Sequence, residues 1–319
     1  MNAIKIFLVS IALLSIYFWV SCNRSNSIIP SIGDQPVYPP IDAYPAWSPN
    51  GKWIIYNHYG ITRIDVVGSY HVNPDSAGLW MINADGTNPH LILKGDDVNA
   101  DWSPDGQWIV FEVGAQIYKA PIVADTVDAS KIEQLTFQGR NFFPAWSPDG
   151  QWIAYDRSLA DSSGSGGIWA MKNDGNMRCS LFGGAFPSWH PNGSILIGVI
   201  GTSPTSIWTR FVRYNFNQSM PLDTLQAVVG NDNSYPKYSP DGVKIIFESN
   251  TNIWVMSADG TNPKQLTFNS GLQPSWSPDG QKIVYIGFTY KKYDPQNNGT
   301  LWVMNADGSN KHQLTYGPK

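Results

Sequence analysis

Few side chains in this 319-residue chain stand at spacings that chemistry requires. Its five histidines, His58, His71, His90, His190 and His312, form no His-Glu-x-x-His pair and no Cys/His zinc spacing. They read as structural or solvated. Of the two cysteines, Cys22 and Cys179, the second has no histidine signature around it and is expected as a small, partly buried thiol. Asp-Gly pairs begin at positions 85, 105, 149, 174, 241, 259, 279 and 307, but they lack the alternating carboxylates of a calcium loop, and hairpin turns account for them. Neither a Gly-x-Ser-x-Gly elbow nor a phosphate loop is present. The expectation is a non-enzymatic protein with no catalytic residues, no cofactor and no metal. Scattered Asp96, Asp97, Arg140 and Asp232 are the raw material for the alternative, a carbohydrate-active lyase or hydrolase.

Charge narrows the partners. The net charge is −4 and the basic residues form no stripe beyond Lys291-Lys292, so nucleic acid is excluded as an expected partner. Charged residues make up 14% and aromatics 13%, and Gly and Pro number 29 and 23, a composition suited to short strands and tight turns.

The N-terminus reads as an export signal. Lys5 precedes an apolar run from Ile6 to Val20, short of the roughly 20 residues that span a bilayer. Trp19-Val20-Ser21-Cys22 follows and resembles the lipobox of bacterial lipoproteins, with Trp19 where that family usually has Leu. The resemblance implies a signal peptide over 1–21 and a lipidated Cys22. Residues 22–43, with Pro30, Pro36, Pro39 and Pro40 among Ser, Asn and Gly, then form a tether. Cell-envelope placement, in the periplasm or on the outer membrane, follows as an expectation, with secretion as the alternative.

Repetition organises the rest. Pro45-Ala46-Trp47-Ser48-Pro49-Asn50-Gly51 returns around Trp102, Trp146, Trp189, Tyr238 and Trp276, at intervals of 38 to 55 residues. Each unit parses into four short strands. The first ends at the aromatic, Ser-Pro-Asp-Gly makes a tight turn, an apolar second strand follows, Ile/Leu-Trp marks the third, and an Ala-Asp-Gly turn leads to the fourth. Four strands per unit at this period predict an all-β, six-bladed β-propeller over 44–319, four antiparallel strands per blade. Proline two positions before the aromatic in five of six units fits a first strand whose edge lines the channel. Thirteen of fourteen tryptophans fall at repeated positions and are read as packing between blades. The first and last units offer no obvious shared strand to close the ring.

The Trp-Ser-Pro-Asp-Gly and Ile-Trp-Val-Met-x-Ala-Asp-Gly elements resemble the propeller repeats of the TolB family. The resemblance covers residues 44–319 and implies the fold; the α/β domain that precedes the propeller in that family has no counterpart here. Taken with the lipobox, the expectation is an envelope protein with a protein or peptide partner, held to a membrane through Cys22 and monomeric.

Recognition is expected on the face bearing the inter-blade connections and strand 2–3 loops, where insertions gather at Asn57–Gly78, Arg157–Gly167 and Gly287–Gly299. Three residues before each aromatic, at the channel mouth on that face, stand Tyr44, Asn99, Phe143, Phe186, Tyr235 and Gln273. These six, with Arg140 nearby, are the expected partner-binding residues; inter-blade packing is the competing reading of the ring. Asp101 and Lys237 occupy equivalent positions three blades apart, across the channel.

Overall fold

The computed structural model describes residues 40–64, 70–95, 98–158, 166–201, 209–225, 229–230, 232–288 and 299–316. Cys22, Asp96, Asp97, Trp208 and Lys291-Lys292 lie outside them, as do parts of all three expected insertions. The remainder is a six-bladed β-propeller, each blade an antiparallel sheet whose four main strands run in sequence order from axis to rim.

The first strands are Ile41–Trp47, Ala100–Trp102, Arg140–Trp146, Ala185–Trp189, Asn233–Tyr238 and Gly271–Trp276. In five blades the Ser-Pro-Asp/Asn-Gly turn that follows is built by two side chains. Ser103 Oγ, for example, donates to Asp105 Oδ1 (2.5 Å), accepts from the Trp108 amide (2.9 Å), and the same Asp oxygen accepts from the Gln107 amide (3.0 Å). Blade 4 substitutes His190, whose Nδ1 accepts from the Asn192 amide (3.1 Å) and whose ring packs edge-on to Tyr238. The glycines take φ near +70°, a conformation that favours the residue without a Cβ.

Blade 2 departs from the plan. Its third strand, Gln116–Val123, pairs both with the fourth strand Glu133–Gln134 and with a short extra strand, Thr126–Val127. Blade 1 carries a separate hairpin, Ile61–Ile64 with Tyr70–Val72, inside its expected insertion.

The apolar core lies between blades. Six clusters of buried side chains map onto the six junctions; the one between blades 2 and 3 joins Val110, Ile117 and Leu135 to Trp146, Ile153, Tyr155 and Met171. Five first-strand tryptophans are at most 9% exposed, a burial of roughly 200 Å² each. Three of them also stitch backbone. The Trp102, Trp189 and Trp276 indoles donate to the carbonyls of Ala46, Ala145 and Lys237 in the preceding blade (3.3, 3.1 and 3.2 Å).

The ring closes without a shared strand. Asp42, buried in the first strand of blade 1, donates its amide to the Gly299 carbonyl of blade 6 (2.9 Å), and its carboxylate accepts from the Leu301 amide and the Thr315 hydroxyl of that blade. His58 Nδ1 holds the other carboxylate oxygen at 2.8 Å. Trp47, Ile54 and Tyr56 then pack against Leu272, Val284 and Leu301 as any other junction packs. The propeller's first strand therefore starts at Ile41, within the segment read as tether.

Candidate functional site

Each first strand except that of blade 2 carries a bulge, visible as a register shift against the second strand at Ala43/Ala46, Phe142/Ala145, Ala185/Ser188, Ser234/Lys237 and Leu272/Ser275. Inside each bulge sits one residue of the expected ring. Tyr44, Phe143, Phe186, Tyr235 and Gln273 have φ between +50° and +55°, a left-handed conformation that is costly for aromatic residues. The repeated strain turns these side chains inward to the axis, where a regular strand would alternate them away.

Buried polar groups hold the turned backbone. Glu112 in blade 2 accepts from the Phe143 amide of blade 3, and Glu248 in blade 5 accepts from the Gln273 amide of blade 6, both at 3.2 Å. The Gln273 side chain in turn accepts from the Tyr44 amide at 2.8 Å. Burial pushes the Glu248 carboxyl up to about 8 and the equivalent Asp156 of blade 3 to about 7. Neither acid faces the cavity described below.

The four aromatic members meet one another. Tyr44, Phe143 and Tyr235, from alternate blades 1, 3 and 5, form a nearly equilateral triangle with ring centroids 5.9, 6.1 and 6.0 Å apart. Its centre lies about 3.5 Å from each centroid, one van der Waals contact. Phe186 closes the remaining side, 4.7 Å from Phe143 and 4.4 Å from Tyr235. The expected ring of aromatics is thus a floor across the axis.

Above this floor, toward the Ser-Pro turns, all six first strands enclose a cavity of about 350 Å³, within the range that holds small ligands. Prolines from strands and turns line it, together with Trp146, Trp189, Trp276 and Tyr238, whose rings are otherwise buried between blades. Asp101 and Lys237 supply its charges. Asp101 accepts from the Trp146 amide at 2.8 Å; burial raises its carboxyl above the usual range, and the Lys237 ammonium opposes that rise. No hydrogen bond to the Lys237 ammonium forms among the described residues.

Tyr44, Asn99, Phe143, Phe186, Tyr235 and Gln273 all line this cavity. Arg140 does not; its guanidinium stacks on Phe142, 5.4 Å from the ring centroid. Asp232 is exposed, and its carbonyl accepts from the Asn250 amide. The histidines are engaged in structure: His90 bridges the Asn88 and Asp125 carbonyls (both 2.9 Å), and His312 contacts the Asn310 carbonyl. Cys179 is half-buried, close to the Ala170 carbonyl. Sequence reasoning missed Asp42, Glu112, Asp156 and Glu248, although a carboxylate closing an apolar run, as in Ile245-Ile246-Phe247-Glu248, was a readable signal.

Solved structures share this architecture. TolB from Acinetobacter baumannii matches with a TM-score of 0.61 at 21% identity, over 86% of this chain and 62% of that one. A protein assigned as TolB from Agrobacterium tumefaciens gives 0.60 at 21% identity, over 72% and 84%. The oligogalacturonate lyase of Vibrio parahaemolyticus gives 0.52 at 9% identity, over 83% and 90%. No family model matches the chain, and no curated protein matches it in sequence. The likenesses are of fold: the chain is a six-bladed propeller similar to the TolB-like ones.

Proposed function

We propose that this protein is a non-enzymatic binding module of the bacterial cell envelope, held to a membrane through a lipidated Cys22, that takes a short segment of a protein partner into the blind end of its channel. The observation that carries the reading is the cavity itself. Its proline-rich lining offers apolar surface to an extended peptide, and the Asp101–Lys237 pair meets opposite charges on its two sides. Entry is from the Ser-Pro-turn face, because the aromatic floor shuts the channel on the other. This moves the binding mouth from the face expected on loop length alone.

The test is a photo-crosslinker placed at Ser275, in the cavity wall, in the full chain expressed in intact cells, with a glycan-cleavage screen on the purified protein. The expected result is one reproducible polypeptide adduct that Lys237→Ala weakens at least tenfold. Reproducible turnover of a polysaccharide, with no adduct, would overturn the reading in favour of a carbohydrate-active enzyme.

A further inference from the structure

Three large aromatic side chains stand out into solvent at one end of the ring: Phe137 at 66%, Phe268 at 74% and Tyr316 at 67% exposure. They are repeats of one another. Each follows a Gln-Leu-Thr sequence whose threonine hydroxyl accepts from a third-strand amide, Ile117, Ile253 or Leu301, at 2.8 to 2.9 Å. In each, the glutamine amide folds back to the threonine carbonyl at 2.7 Å. The leucine beneath is buried. A stiff clamp of this kind fixes the aromatic outward, and the repeat puts all three at one height, on blades 2, 5 and 6. In blade 3 the fourth strand ends at Phe182, which is partly buried and stacks on Tyr214 with centroids 5.1 Å apart. Exposed aliphatic residues Met177 and Val243 lie at the opposite end, in turns.

We infer that these three rings are a docking surface for a lipid bilayer, set into the headgroup layer of the membrane that anchors the chain. Blades 2 and 5 are on opposite sides of the ring, so the contacts are spread over a plane and frame no groove, which suits an extended surface. The N-terminal strand enters at the same end, with Ile41 paired to Tyr59 and Asp42 clasping blade 6, and the 40 residues before it contain the apolar run from Ile6 to Val20. The lipidated Cys22 proposed above would join the chain at this end, and the inference rests on that anchor. The segments that follow the three threonines contain no Asp or Glu, although exposed Asp75 and Asp232 lie elsewhere at this end. The cavity, opening at the other end, is left free, and this inference stands whether or not the channel binds a peptide.

Hydrogen exchange on the full chain, with and without phosphatidylethanolamine–phosphatidylglycerol vesicles, tests it. Vesicles are expected to slow exchange at least tenfold in the three connections after Thr136, Thr267 and Thr315 and to leave the Ser-Pro turns unchanged. The triple variant Phe137→Ser, Phe268→Ser, Tyr316→Ser should lose that protection while the strands exchange as in the parent, which shows that the fold is intact. Unprotected connections in the parent, protection that survives the triple change, or cellular crosslinks from these positions to a polypeptide in place of lipid would overturn it.

Discussion

At the Ser-Pro end of the ring, five blades use the same serine hydroxyl and the same Asp or Asn oxygen to build the same turn, while at the opposite end the connections differ in length and content from blade to blade. The uniform end repeats because its job is local: a turn of four residues is satisfied by its own side chains. The variable end carries the work that cannot be repeated, namely closing the ring at Asp42, holding the bulges through Glu112 and Glu248, and presenting Phe137, Phe268 and Tyr316. Redundancy and specialisation are thus separated along the channel axis, with the aromatic floor between them.

That contrast sets an order of expected effects. Asp42→Ala acts on a contact that exists once, and leaves the Thr315 hydroxyl without its acceptor at the seam; a loss of about 3 kcal/mol is expected from urea unfolding. A loss under 1 kcal/mol would mean that the seam is closed by apolar packing alone.

Glu248→Gln probes the buried acids. Because burial raises this carboxyl to about 8, the unfolded chain gives up a proton that the folded chain keeps, so its contribution is most favourable at acid pH and falls as pH rises from the ordinary carboxylate range toward 8. The variant, still able to accept from the Gln273 amide, should gain a few kcal/mol on the parent across that window. Parallel pH profiles from thermal melts would contradict the assignment.

At the uniform end, Ser147→Ala removes one turn among equivalents and should cost about 1 kcal/mol, the net worth of such hydrogen bonds. An effect of similar size at Ser103 or Ser277 would confirm that these turns are interchangeable. Smallest of all, Phe137→Ser should change unfolding free energy by less than about 0.5 kcal/mol, since the ring touches little of the fold. A larger loss would make Phe137 a packing residue and sharpen the comparison against a docking role.

Blade number, strand order and the turns were legible because each is encoded within one repeat. Trp47, Ser48, Pro49 and Gly51 specify a strand end and a turn whatever lies around them, and six copies leave no other reading. The ring residues were found by position, but their arrangement was not, because a left-handed bulge at Phe143 depends on Glu112 from the neighbouring blade. Ring closure was hidden for the same reason: the Asp42 groups that clasp blade 6 have their partners more than 250 residues away.

Strand period and turn chemistry act over a few residues, so the all-β class, the count of six and the packing of tryptophan between blades are encoded locally. Contacts between blades are what make the aromatics meet across the axis, let residues of all six first strands line one cavity, and clasp the first and last blades by one carboxylate. Those outcomes depend on distances between blades, and a distance across a ring is set only when the ring has closed.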